Sequence, residues 1–141
     1  MGELRPSGRF PPLRRVRSRR DFLRIQSLGR RVTTPHFLLL LWVSNPTGSA
    51  TAPARLGITA SRRVGGAVLR NRAKRLVREA FRATPELWFP GLSLVVVVRS
   101  ALVDMRLADV VAEWRAAERA IRRRAVEARR DRGQSPLAQG G

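Results

Sequence analysis

The chain has no cysteine, which removes disulfides, thiolate nucleophiles and sulfur-ligated zinc together. His36 is the only histidine, so no imidazole pair exists for acid–base or metal work, and the residue reads as a satisfied or surface histidine rather than a ligand. Acidic residues number 10 against 29 lysines and arginines. They are scattered among cations and form no tight carboxylate cluster for two-metal chemistry. No apolar run approaches the roughly 18 residues that a transmembrane helix needs; the longest, Phe37 to Val43, reads as a buried strand. The N-terminus is arginine-rich and acid-poor like a transit peptide, but Pro6, Pro11 and Pro12 and the want of an apolar segment argue against a targeting signal.

What is present is positive charge. The net charge is +19 over 141 residues, and all the basic residues except Lys74 are arginine. Cations at this density repel one another and destabilise a compact state, so a polyanion is the partner that rationalises them, nucleic acid ahead of an anionic membrane. Hydrophobic residues still make up 43% of the chain, enough for one folded domain.

Residues 1–15 mix arginine, proline and glycine without apolar periodicity and are expected to be a disordered basic arm; 16–130 form the domain and 131–141 a disordered tail. Ser18 with Asp21 suggests a capping box, and Phe22, Ile25 and Leu28 give an apolar stripe for a short first helix ending before Gly29. Residues 31–43 are extended in character, broken by Pro35, and 44–54 form a loop. Residues 55–61 alternate like a half-buried strand, and Leu92 to Val98 reads as a central strand covered on both faces. A single last helix over 104–130 would place Leu107, Val110, Val111, Trp114, Ala117 and Ile121 on one stripe. Trp42, Trp88 and Trp114 read as packing residues. The expected architecture is a small α+β sandwich with helices packed against a sheet.

The informative stretch is Arg55 to Arg82. A helix from about residue 67 to 82 gathers Leu69, Ala73, Leu76, Val77, Ala80 and Phe81 into one arc of roughly 140° that would dock on the sheet. Beside it Arg70, Lys74, Arg78 and Arg82 form an i, i+4 row, widened by Arg72 and Arg75 and interrupted only by Glu79. Like charges at that spacing destabilise a helix, so its own stability does not explain the row, whereas a bound polyanion does. Gly65 and Gly66 supply a tight turn whose N–H groups, with Arg62 and Arg63 before it, suit phosphate at a helix N-terminus. Asn71 could read a sugar, a base edge or backbone.

This stretch resembles, nearly residue for residue, the signature of the ribonuclease P protein family. Ser61, Arg62, Arg63, Val64 and Gly65 lead into Ala67 and Val68, then Arg70, Asn71 and Arg72, Lys74 and Arg75, Arg78 and Glu79, and Phe81. A weaker likeness runs from about Val16 to Ala125, including Asp21, Phe22 and Gly29.

The resemblance implies an αβββαβα fold on a four-stranded sheet with a left-handed βαβ crossover, where sequence reasoning alone expects the right-handed form. It implies a cytoplasmic protein subunit of an endonuclease that processes tRNA, whose catalytic RNA removes the 5′ leader of precursor tRNA with magnesium held mainly by the RNA. No catalytic residue and no metal ligand is assigned to the protein, and neither DNA nor membrane is among the implied partners. Arg62, Arg63, Gly65, Arg70, Asn71, Arg72, Lys74, Arg75 and Arg78 would then meet the catalytic RNA. The leader would lie between the first helix and the sheet, with Phe22 and Phe37 stacking on bases and Arg99 on a phosphate. Gln26 and Leu40 stand where family members often carry aromatics, so leader affinity would lean more on charge.

Three other readings compete. A structural RNA-binding protein of the ribosome would share the composition and fold, and the full motif context separates it. A DNA-binding helix-turn-helix needs two helices joined by a short turn, whereas strands flank this basic helix. A membrane-surface helix would place in lipid the face that here packs on a strand.

Overall fold

The alternating and apolar strand segments close into one sheet, and the helices cover both of its faces. The computed structural model describes residues 16, 19–43 and 53–134. In chain order the elements are α1 (Arg19–Leu28), β1 (Arg30–Thr33), β2 (Phe37–Val43), β3 (Arg55–Ala60), α2 (Ala67–Ala83), β4 (Leu92–Val98), α3 (Leu107–Ala116) and α4 (Glu118–Gln134). Short 3-10 turns occupy Arg62–Val64 and Pro85–Leu87. The sheet order is β1-β2-β4-β3, with β4 antiparallel to β2 and parallel to β3. The expected α+β sandwich is found, and β4 is the inner strand that its leucine and valine run requires. The Ser18 cap, the basic arm, the loop from 44 to 52 and the chain past 134 lie outside the described residues.

Strand alternation divides the core in two. Phe37, Leu39, Leu41 and Val43 of β2 and Leu92, Leu94, Val96 and Val98 of β4 face α2, α3 and α4 and form the main core. Leu40 and Val95 point the other way, where Val16 and Ile25 cover them and Phe22, Leu38, Trp42 and Val97 pack around. Within the main core Trp114 meets Phe37 edge-on at 5.8 Å and Trp88 at 5.5 Å, and Trp88 stacks on Phe81 at 5.8 Å. Rings in such edge and offset arrangements add about 0.5–1.5 kcal/mol per pair beyond the area they bury.

Three expectations are corrected. Leu28 does not continue the buried stripe of α1; it is exposed. The last helix is two helices, parted at Ala117, whose N–H bonds back to the carbonyl of Trp114 at 3.0 Å in a tightened turn. The reason is tertiary: α3 packs on α2 while α4 packs on β2 and β1, and one straight rod would not follow both. For the same reason Leu107, at the start of α3, is exposed while Val110, Trp114 and Ile121 are buried. The helix also runs past Arg130, because Asp131 reaches β1 and receives two hydrogen bonds from Arg30, at 2.7 and 2.9 Å.

Candidate nucleic-acid interface

The turn into α2 is built to push two arginines outward. Ser61 Oγ accepts a hydrogen bond from the Arg63 N–H at 3.3 Å, and the N–H groups of Val64 and Gly65 bond back to Ser61 and Arg62 at 3.0 and 3.1 Å. Buried Val64 anchors the turn, which leaves Arg62 and Arg63 exposed. Gly65 has φ of +135°, and a Cβ there would lie 2.5 Å from Leu69 Cδ1, so only glycine fits. Gly66 has φ of −72° and open space around it, so its being glycine is not a steric need of the fold. Gly66 caps α2 without a side chain. The first N–H groups of the helix therefore remain for an anion at the positive end of the dipole, beside Arg62 and Arg63.

α2 then turns its apolar face inward as its periodicity requires. Ala73, Leu76, Val77, Ala80 and Phe81 are buried, and Leu69 is partly covered against Gly65. Asn71, Arg75 and Arg82 are exposed, and Arg70, Lys74 and Arg78 half-exposed, along the outward side. No carboxylate among the described residues pairs with Arg70, Lys74 or Arg75. Arg72 is exposed beside Asn71, and its guanidinium also donates to the carbonyl oxygens of Leu102 and Met105, the latter at 2.6 Å, and so holds the turn before α3. These bonds come from the approach of that turn to α2, which lies beyond the reach of helical projection.

Arg99 follows β4 as Arg62 follows β3, and because Ala60 pairs with Val98 in parallel, both lie at one end of the sheet. Arg99 donates to the Thr34 carbonyl at 2.9 Å and remains exposed. The turn beneath it is clamped by Glu113 of α3. That carboxylate accepts from the Thr34 hydroxyl at 2.6 Å and the His36 N–H at 2.8 Å, and lies 2.7 Å from His36 Nδ1. Burial pushes the Glu113 pKa up, but the Thr34 hydroxyl, the His36 N–H and the His36 ring together hold it below the usual carboxylate range. His36 is thus a satisfied histidine, as its isolation in the sequence suggested.

On the other face, α1 covers Leu40 and Val95 and leaves the next register row, Thr59, Val97 and Leu38, half-buried. That partly uncovered strip of the sheet face lies in register between the residues that α1 covers and the Arg99 end. Phe22 stands at its side, and a Cβ on Gly57 would lie 2.8 Å from its ring, so the glycine in β3 makes room for it. Gly57 is a residue of this strip that sequence reading did not single out; a glycine interrupting a strand was the available signal. Gln26 of α1 is half-buried and Leu40 is buried beneath the helix. Phe37 does not reach the strip. Its side of β2 faces α3, it is 0% exposed and it packs on Trp114, so it is a core ring and offers no face to a base.

Several carboxylates are drawn off by arginines elsewhere. Arg30 bonds Asp131 and holds its carboxyl below the ordinary range, Arg124 and Arg30 take Glu127, and Arg115 pairs with Glu86. Among the described residues no three His, Asp or Glu side chains converge on a point that could hold a metal ion, and no helix is long and apolar enough to cross a membrane.

An α+β sandwich carrying a cationic helix and an arginine-flanked glycine turn has the surface chemistry of a small polyanion-binding protein. Residues 10–123 match the Ribonuclease P family. The ribonuclease P protein component of Syntrophus aciditrophicus is 35% identical over 99 residues, covering 70% of this chain and 79% of that protein. That of Syntrophobacter fumaroxidans is 35% identical over 111 residues, covering 78% and 89%. The structure of the RNase P protein from Thermotoga maritima superposes with a TM-score of 0.63 at 32% identity, covering 75% of this chain and 96% of that one. The Staphylococcus aureus RNase P protein gives 0.62 at 27% identity, covering 76% and 94%. The chain belongs to the ribonuclease P protein family, whose members are protein components of ribonuclease P.

Proposed function

We propose that this chain binds the catalytic RNA of ribonuclease P through α2 and the Arg62–Gly66 turn, and takes the single-stranded 5′ leader of precursor tRNA on the sheet face beside α1. The observation that carries the reading is the outward side of α2. Arg70, Lys74 and Arg75 have no carboxylate partner and continue into an uncapped helix N-terminus flanked by Arg62 and Arg63, a track that a phosphate backbone would neutralise. Asn71 lies between them with an amide able to fix register. Phe22, with the Leu38, Val97 and Thr59 strip, offers unpaired bases an apolar surface, and Arg99 would meet a leader phosphate at its end.

Leader removal is phosphodiester hydrolysis, and this reading assigns it to the RNA together with magnesium in the cytoplasm. Among the described residues no donor set converges on an ion, and Glu127 and Asp131 are tied to Arg30. The chain's part is to bind, orient and screen charge, which lets the two RNAs approach.

The experiment is 5′-leader cleavage of a precursor tRNA by ribonuclease P RNA from the same organism at limiting magnesium, with and without the protein. The reading requires that the protein alone be inert and that it restore cleavage by the RNA. RNA binding without stimulation would turn the assignment toward a structural RNA-binding protein of the ribosome.

A further inference from the structure

The cations of α4 are sorted by face. Its buried side is Ile121, Ala125 and Ala128. Its three carboxylates within the described side chains are all engaged: Glu118 with Arg122 at 2.7 Å, Glu127 with Arg124 at 2.8 Å and Arg30 at 3.5 Å, and Asp131 with Arg30 at 2.7 Å. Arg119, Arg123, Val126 and Arg130 fall on the remaining arc, about 60° wide and spanning about 16 Å of helix axis. All four are exposed, Val126 at 53%; the nearby carboxylates Glu127 and Asp131 feel Arg123 and Arg130 only at longer range, their direct ion pairs being with Arg124 and Arg30.

Arg119 and Arg123, a turn apart, repel, and neutral polar residues would do as well in water. A face carrying guanidinium groups one turn and then two turns apart is complementary to a phosphate backbone, which planar guanidinium groups can grip in bidentate fashion. A lipid surface fits less well, because the broad apolar face such a helix would insert is already docked on the sheet. The row is also separate from α2: α4 packs on β2 and β1, while α2 packs on β3 at the opposite edge of the sheet. Arg119 and Arg123 lie within the family match and Val126 and Arg130 beyond its end at residue 123.

We propose that the outer face of α4, centred on Arg119, Arg123 and Arg130, is a second binding site for the phosphate backbone of helical RNA. It would grip a segment of the ribonuclease P RNA other than the one α2 holds. This rests on the reading that ribonuclease P RNA is the partner.

The test uses the full-length protein and ribonuclease P RNA, measuring affinity against salt together with a backbone footprint. The triple variant Arg119→Gln, Arg123→Gln, Arg130→Gln keeps good helix formers at exposed positions, and its thermal melt is compared with wild type. Expected are a slope of log K against log salt shallower by about 2, from about 0.7–0.9 per phosphate contact, and loss of one protected RNA segment. The triple lysine variant should keep both slope and footprint. The variant Arg70→Gln, Lys74→Gln, Arg75→Gln should lose a different segment. A glutamine triple on α4 with wild-type slope and footprint overturns this proposal and leaves the assignment of α2 standing. Failure of the lysine triple to protect the segment overturns it too, even were the glutamine triple to misfold. Failure of the wild-type protein to bind the RNA overturns the partner assignment itself, and this proposal with it.

Discussion

His36 Nδ1 lies 2.7 Å from Glu113, joining the β1–β2 turn to α3 across 77 residues of chain. The same carboxylate takes the Thr34 hydroxyl and the His36 N–H, so one half-buried side chain holds the turn whose Thr34 carbonyl receives Arg99. Glu113→Gln should cost about 1–2 kcal/mol at neutral pH, read from the urea midpoint, because a charged acceptor of several hydrogen bonds becomes neutral. The pH dependence has a definite sign. Glu113 is held below the ordinary glutamate value of 4.5, so its contribution is complete above that pH and is lost as pH falls through the lowered pKa. Asp131, Glu127 and Glu86 add acid sensitivity in the same direction, so the difference between wild type and Glu113→Gln isolates this pair. Its gap should narrow below pH 4.5 and stay constant above it; a gap independent of pH on the acid side would contradict the geometry.

Gly65 and Gly66 should separate cleanly on replacement by alanine. Gly65→Ala puts a Cβ at positive φ and 2.5 Å from Leu69, and is expected to cost about 1–3 kcal/mol or more. Gly66→Ala meets open space at an ordinary φ, and its unfolded-state entropy gain is offset by alanine being a poorer N-cap than glycine, so it should stay within about 1 kcal/mol of wild type. Thermal melts of the two variants decide the matter.

Arg72 and Arg75 stand one turn apart on α2 but do different work. Arg72→Ala removes two charged hydrogen bonds to the carbonyls of Leu102 and Met105 and should lower stability by about 1–2 kcal/mol. Arg75→Ala should leave stability within about 0.5 kcal/mol and weaken RNA binding, reducing the salt slope by about 0.7–0.9. Equal melting temperatures for the two variants would remove the distinction.

Phe37 and Phe22 part in the same way. Phe37→Ala should lose about 3–5 kcal/mol, as a fully buried ring beside Trp114. Phe22→Leu keeps an apolar side chain over Gly57 and removes the ring. It should weaken binding of precursor tRNA relative to mature tRNA by about 1–3 kcal/mol per stacked base lost. An unchanged preference for precursor would show that the leader does not stack on this ring.

Much of the fold was legible because it is written in short-range pattern. Pro35 parts β1 from β2, the leucine and valine run of β4 demands an inner strand, and the period of α2 separates its docking face from its cations. The Gly65 turn was legible too, since a glycine between a strand and a helix beside two arginines has few other uses. Alternation along β2 likewise puts Phe37 and Leu38 on opposite faces. It does not say which face receives α1 and which receives Trp114, and that choice turns Phe37 from a leader-facing residue into core.

The sequence by itself determined the charge, the strand and helix periods, the tight turn and hence a cationic helix on a sheet, because each depends on residues within a few positions of one another. Only the tertiary structure decided that α3 and α4 bend apart at Ala117, that Arg72 belongs to the 102–105 turn, that Glu113 clamps Thr34 and His36, and that Arg30 draws Asp131 to β1. These pairings join residues from 30 to 101 positions apart. Their partners are chosen by which helix packs on which strand, and that is settled by burial of the whole apolar surface at once.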